Sequence, residues 1–197
     1  MYKNIFIIGI ITCVLYFVAV AGFLVFKTEV ALTIWELITV LSAPVVMMVL
    51  LKLQQAVGSS SFYKHMATAC LASTCALTAV AHFVNIAVTR PLISQGIDVP
   101  TYFQIGYWPS VEMAIDYVAW GFFCGLAFLC VALGVKNSMY KRLKITSLVC
   151  GLLCLLGFFG TLFLHENCWY IAIWGYGIGF IVLCIQTCLI APFSLRS

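Results

Sequence analysis

Residues 4–26 read NIFIIGIITCVLYFVAVAGFLVF and contain no charged side chain. A helix needs about 20 apolar residues to cross the hydrocarbon core of a bilayer, and this segment has that length. Lys3 before the segment and Ala19-Val20-Ala21 near its end also resemble a signal peptide. The apolar run is longer than a usual signal core, so we expect a retained first membrane helix.

The rest of the chain repeats this pattern. Of the 197 residues, 64% are hydrophobic and 8% are charged, whereas soluble domains carry about 25% charged residues. This composition excludes an ordinary soluble domain. We predict an all-α, polytopic membrane protein, with residues 1–197 forming a single bundle of six transmembrane helices. The predicted helices span about 4–26, 30–51, 65–89, 110–134, 145–164 and 168–190.

The basic residues predict the orientation of this bundle, because cytoplasmic segments carry an excess of Lys and Arg. With the N-terminus inside, only Lys27 and Arg90 fall on the outer side. We therefore predict a multi-pass protein of the cell membrane with both termini cytoplasmic. The basic residues on the cytoplasmic side are Lys3, Lys52, Lys64, Lys136, Lys141, Arg142, Lys144 and Arg196.

The basic run from Lys136 to Lys144 also bears on binding partners. It is typical of a topology signal that contacts anionic lipid, and we predict no nucleic-acid binding. It could also dock a partner subunit. The Gly121-x-x-x-Gly125 and Gly175-x-x-x-Gly179 spacings favour close helix packing, and they leave a homo-oligomer open.

The ten cysteines do not form an obvious disulfide framework. Nine of them lie well within predicted helices, and Cys168, at the outer end of the sixth, has no evident external partner. We expect free thiols that act as small apolar side chains in the bundle.

Residues 90–109, between helices three and four, form the one long connection. Pro91, Gly96, Pro100 and Gly106 argue against a continuous helix here. The segment also holds several aromatic residues, so we predict a loop that folds over the outer mouth of the bundle as a possible lid. Ser110 is placed to cap the helix that follows.

Helix three carries a polar stripe on an otherwise apolar sequence. Thr74, Thr78, His82, Asn85 and Thr89 follow one another at spacings of four, four, three and four. These spacings hold all five side chains on one helical face. Such a face should turn toward protein or water and away from lipid.

Acidic residues on two other helices reach the same depth. From the helical rise of ~1.5 Å per residue, Glu36 and Asp116 lie roughly 9 Å below the outer surface and His82 roughly 12 Å. Ionisable groups within a bilayer are costly and indicate a functional site. The predicted ligand-binding residues are Glu36, His82, Asn85, Asp116, Glu112, Tyr117, Trp120 and His165.

Three functions fit this polar set. Carboxylates with aromatic rings favour binding, and possible transport, of a small polar or cationic ligand from outside. An intramembrane enzyme could instead use His82 with Glu36 or Asp116 for acid–base or metal-assisted chemistry on a lipid-like substrate. The same three side chains could complete a zinc site, although the sequence identifies no cofactor. The third alternative is a structural or assembly subunit whose polar cluster only locks the bundle.

Overall fold

The computed structural model describes residues 2–194, with side chains for residues 3–190. Six helices in this range are long and apolar enough to cross a membrane, which confirms the all-α, six-helix prediction. Arg196, one of the predicted cytoplasmic residues, lies outside the described residues. The helices are α1 (Tyr2–Phe26), α2 (Glu29–Ala56), α3 (Ser61–Ser94), α4 (Val111–Gly134), α5 (Ser138–Phe163) and α6 (Glu166–Ile190), the last continuing in helical backbone to Ser194.

Two helix starts follow directly from their capping residues. The Thr28 hydroxyl accepts a hydrogen bond from the Ala31 backbone N–H at 3.2 Å, at the start of α2. The Ser110 hydroxyl accepts one from the Met113 N–H at 3.2 Å, at the start of α4. Each cap satisfies a backbone donor that the first helical turn leaves without a partner. The cap predicted for Ser110 is therefore confirmed.

The helices pack in chain order and close into a ring. Each helix contacts the next one along the chain, and α6 returns to pack against α1. The central helix is α4, which also contacts α2 and α6. One end of the bundle, here called the acidic end, carries the residues Glu29, Asp98, Glu112 and Glu166.

Glycines let α5 approach both of its neighbours closely. A Cβ atom at Gly175 of α6 would lie 2.6 Å from the Cys150 carbonyl oxygen of α5. A Cβ at Gly125 of α4 would lie 3.3 Å from the Gly151 carbonyl oxygen of α5. The two predicted glycine motifs therefore face helices within the same chain, where small residues permit close backbone contact.

Helix α3 is longer than the sequence predicts. A π-helical turn spans Asn85–Thr89, and α-helix resumes over Arg90–Ser94. The predicted loop start at residue 90 is wrong for residues 90–94. Pro91 lies in the first turn of the α-helical segment that follows the π-helical turn. Proline has no backbone N–H to donate, and at this position in a helical segment none is required.

The remaining connection, residues 95–110, folds onto the acidic end. Gly96 and Gly106 adopt positive φ angles of 77° and 86°, which glycine accommodates without strain. The Thr89 hydroxyl donates a hydrogen bond to the Phe103 carbonyl at 3.2 Å. The Trp108 ring stacks on Tyr117 of α4 at a centroid distance of 4.9 Å. These contacts hold the connection against α3 and α4.

Candidate functional site

A buried carboxylate on α2 is the anchor of the site. Glu36 is fully buried, and its Oε1 accepts a hydrogen bond of 2.6 Å from the Asn85 amide of α3. Its Oε2 forms an ion pair with the Arg90 guanidinium, also on α3. Arg90 further donates a hydrogen bond of 2.6 Å to the Thr33 hydroxyl on α2. Both carboxylate oxygens of Glu36 therefore have strong partners within the protein.

His82 lies between two carboxylates on opposite sides of its ring. Its Nδ1 is 3.7 Å from Glu36 Oε1, and its Nε2 is 3.6 Å from Asp116 Oδ1 of α4. Both distances are longer than a hydrogen bond, so these contacts are close electrostatic ones. The histidine side chain is only 1% exposed, so it bridges α2 and α4 from within the core.

Arg90 belongs to this cluster although the sequence analysis assigned it to the outer loop. In the π-helical turn the Arg90 N–H bonds the Asn85 carbonyl, five residues back. The wider turn places Arg90 directly over Asn85, where a regular α-helix would rotate it away. The spacing rule for α-helices therefore could not identify it. A signal was present nevertheless, because an arginine beside a membrane segment with a buried glutamate is a natural ion-pair partner.

Two further π-helical turns occur within residues 2–194, and both lie beside the site. Val118–Phe123 of α4 contains Trp120, and Trp174–Gly179 of α6 contains Tyr176. The two rings pack together at a centroid distance of 5.1 Å. Such turns are rare in proteins overall. Those that occur are often found at functional sites, because the turn displaces a side chain from its regular helical position.

A small internal void lies below this ring pair. It measures about 20 Å³, and its walls include Tyr16, Ser42, Trp120 and Tyr176. This volume suits a single water molecule. The Trp120 indole N–H donates to no acceptor among the described residues.

A much larger cavity opens above it at the acidic end. Its volume is about 410 Å³, and it lies between α1, α2, α4, α6 and the connection of residues 95–110. Among the described residues that form its wall, no lysine or arginine occurs, and the acidic residue is Glu166. The aromatic residues of the wall are Tyr16, Phe23, Trp35, Tyr107, Trp108, Tyr117, Trp169 and Tyr170.

Asp116 of the buried cluster is not itself part of the cavity wall, but residues next to it on α4 are. On α4 it lies between Met113 and Tyr117, which both form part of the cavity wall. Its side chain is 14% exposed, whereas Glu36 is fully enclosed. Trp35 links the two regions from α2, because it lines the cavity and its ring packs edge-on against His82 at 6.2 Å.

The structure brings together Glu36, His82, Asn85 and Asp116, four of the residues named from sequence. Tyr117 belongs to the cavity, stacked between Trp108 and Trp169, with a centroid distance of 3.8 Å to the latter. Trp120 lines the inner void. The cavity residues that sequence analysis did not select include Tyr16, Phe23, Tyr107, Trp169 and Glu166.

Two of the predicted residues lie apart from the cluster. Glu112 is buried at the start of α4, where its side chain lies beside Thr89. His165 is exposed in the turn before α6, and its Nδ1 accepts a hydrogen bond from the Asn167 N–H at 3.1 Å. His165 is not part of the cavity wall, although the adjacent Glu166 and Asn167 are.

The cluster is also not arranged as a metal centre. Within the part of the chain that the structure describes, no group of three or more His, Cys, Asp or Glu side chains is placed to bind one ion. The reason is the position of His82, whose two nitrogens point at Glu36 and Asp116 on opposite sides of the ring. A zinc ligand set requires its donors to converge on one point.

The cysteines do not provide an alternative centre. All ten lie within the described residues and are free thiols. Cys150 and Cys154 of α5, for example, are buried against Gly175 of α6. They act there as small packing residues.

Comparison with known proteins gives no match: the chain resembles no protein-family model, no curated protein and no solved structure. The geometry of the site is thus the observation that indicates a function.

Proposed function

We propose that this chain is an integral protein of the cell membrane that binds a small organic cation in the cavity at the acidic end. The observation that carries the proposal is the wall of that cavity, which combines eight aromatic side chains with Glu166 and has no basic residue among those described. Asp116, which is 14% exposed and adjacent in sequence to Tyr117 of the wall, is the second carboxylate that we assign to the site. An anionic ligand would meet repulsion there and no counter-charge.

The size and chemistry of the cavity suit such a ligand. Its volume of about 410 Å³ falls in the range of small-molecule sites, roughly 300–1,000 Å³. A cation over an aromatic face gains about 0.5–2 kcal/mol, with the larger value where water is excluded. A carboxylate at short range adds to this attraction, and the gain grows as the surrounding dielectric constant falls.

The ion pairs narrow the choice of ligand-binding carboxylate. From sequence, Glu36 and Asp116 are equal candidates for the ligand-binding carboxylate. In the structure, however, both oxygens of Glu36 already have partners, namely Arg90 and Asn85. Asp116 Oδ1 receives no hydrogen bond from any described residue. Asp116, with Glu166 at the cavity wall, is therefore the carboxylate that we assign to the ligand.

The orientation of the bundle is part of the proposal. We place the acidic end outside and both termini in the cytoplasm, because basic residues are concentrated at the opposite end. The cavity would then receive its ligand from the non-cytoplasmic side. Transport across the membrane is favoured by one observation, namely that Tyr16 lines both the cavity and the inner void and so marks a path inward.

The two alternative functions inferred from sequence, an enzyme and a structural subunit, predict different properties of the site. An enzyme that uses His82 must bring substrate to the imidazole, yet that ring is buried behind Trp35 and is not part of the wall of either cavity described above. A purely structural cluster would explain the Glu36–Arg90 pair. It would not explain a large aromatic cavity with an acidic residue and no basic residue in its described wall.

The test uses phenyltrimethylammonium and its uncharged isostere tert-butylbenzene as ligands of the purified protein in detergent. We expect the cation to raise the melting temperature and to bind measurably by calorimetry, with no comparable effect of the isostere. The Asp116→Asn variant should lose at least about tenfold in affinity, which corresponds to 1.4 kcal/mol. The matched control is Asp98→Asn, which removes an exposed acidic residue at the same end and should bind normally.

Two results would contradict the proposal. One is an equal effect of cation and isostere, which would indicate an apolar site. The other is an equal loss in the two aspartate variants, which would indicate a general effect of surface charge.

A further inference from the structure

We propose that this site exchanges a proton for the organic cation: binding of the cation at Asp116 releases one proton from His82. The inference rests on the proposed function and adds a coupled ion to it. It stands on the position of one imidazole between two carboxylates, and on the different partners that those carboxylates have.

The contacts of His82 are those of a protonated ring. A neutral imidazole has one N–H donor and one nitrogen lone pair, whereas an imidazolium has two N–H donors. Both nitrogens of His82 face carboxylate oxygens, at 3.7 and 3.6 Å. In a neutral ring, one lone pair would point at a negatively charged oxygen inside the core. Protonation removes that repulsion and places a positive charge between the two carboxylates.

The charges of the cluster balance when His82 is protonated and both carboxylates are ionised. Glu36 and Asp116 contribute two negative charges, Arg90 contributes one positive charge, and protonated His82 contributes the second. The other described groups that reach the cluster are neutral: Trp35 from α2, and the phenols of Tyr16 and Tyr176 near Asp116, from α1 and α6. A second positive charge at Asp116 would leave the buried cluster with a net charge, which a low-dielectric core disfavours.

Glu36 and Asp116 differ in their partners and in their exposure, and this difference determines which of them exchanges its partner. Glu36 is held by Arg90 and Asn85 and is closed off from the cavity. Asp116 has His82 as its charged partner and is partly exposed beside the cavity wall. A ligand cation can therefore replace the imidazolium at Asp116 without disturbing the Glu36–Arg90 pair.

The exchange conserves charge and atoms. The ligand ammonium group takes the place of the Nε2–H at Asp116, and the proton released from Nε2 is transferred to solvent. His82 is left neutral, with its Nδ1–H directed at Glu36. One cation is gained and one proton is lost, so the cluster stays neutral in both states. Such a site would link movement of the cation to a proton gradient.

The experiment measures protons directly. Phenyltrimethylammonium is titrated into the full-length protein in weakly buffered detergent solution at about pH 7. Histidine side chains can gain or lose a proton near this pH. A pH indicator measures the protons that are released. We expect about one proton released per cation bound. Because protons compete with the ligand, its affinity should rise with pH, up to about tenfold per pH unit.

Two variants locate the source of the proton. His82→Gln should release no proton, and its affinity should not change with pH. His165→Gln, which removes the exposed histidine at the same end, should release protons as the parent does. If His82→Gln fails to fold, absence of proton release from the parent protein, or an affinity that does not change with pH, still overturns the exchange.

The outcomes separate this inference from the proposed function. Cation binding without proton release, and with an affinity independent of pH, would overturn the exchange and leave cation binding intact. Release that persists in His82→Gln would also overturn it. Absence of any cation binding would overturn both proposals.

Discussion

Arg90 shows how one residue changes the interpretation of a membrane site. From sequence alone it is a basic residue in an outer loop, and Glu36 is an unpartnered carboxylate. In the structure the two form an ion pair on adjacent helices. Glu36 thereby becomes part of the framework, and the role of ligand-binding carboxylate passes to Asp116.

Removal of Arg90 should destabilise the fold strongly. The Arg90→Leu variant leaves Glu36 buried without its counter-charge, and breaking a buried pair from one side costs about 3–5 kcal/mol. Removing both charges in Glu36→Gln/Arg90→Leu should recover part of this loss. Unfolding in mixed micelles, followed by circular dichroism, measures both variants.

The control for this prediction is Arg142→Leu on α5, where the arginine is exposed. A change within about 0.5 kcal/mol is expected there. If Arg90→Leu proves equally mild, the ion pair does not contribute to stability as described.

At the scale of the helix, the sequence predicts the polar face of α3. The five residues of that face are all buried within the protein: Thr74, Thr78, His82, Asn85 and Thr89. The α-helical spacing does not predict the contribution of Arg90, because the π-helical turn inserts an additional residue into the helical repeat. No residue in Asn-Ile-Ala-Val-Thr demands such a turn. The tertiary contacts of Arg90 with Glu36 and Thr33 provide a reason for it.

A deletion experiment tests this description of the turn. Removal of Val88 should convert Asn85–Thr89 to α-helix and leave Arg90 four residues after Asn85, still above it. Removal of Val80, in the regular part of α3, should rotate the segments on its two sides by about 100° relative to each other. Val80 and Val88 are similarly exposed, at 51% and 49%, so the pair is matched.

We expect the Val88 deletion to keep a melting temperature near that of the parent. The Val80 deletion should lose the Glu36–Arg90 contact or the packing below it, at a cost of about 3–5 kcal/mol. Similar losses in both variants would show that the turn does not act as a one-residue insertion.

At the scale of the whole molecule, apolar segment length was enough to predict six helices, because a bilayer fixes the length of a spanning helix. The polar faces indicated which helices should meet. The cavity could not be predicted, since it depends on how the connection of residues 95–110 folds back and on which aromatic rings of α1 and α6 face each other. Those are packing outcomes between residues distant in sequence.

The orientation can be measured by labelling in intact cells. In a Cys168→Ser background, the Asp98→Cys variant should react with a membrane-impermeant maleimide, because residue 98 is exposed at the acidic end. The Lys136→Cys variant is exposed at the opposite end and should react only after permeabilisation. The reverse pattern would contradict the orientation that we propose.

The stack of Trp108, Tyr117 and Trp169 has a practical consequence. The indoles of Trp35, Trp108 and Trp169 form much of the cavity wall. Trp174 is 62% exposed and is not part of that wall. Any molecule that enters must displace solvent from three of the five indoles of the chain. Ultraviolet emission of the unmodified protein therefore reports occupancy without an attached dye, and it can follow the kinetics of filling and emptying in real time.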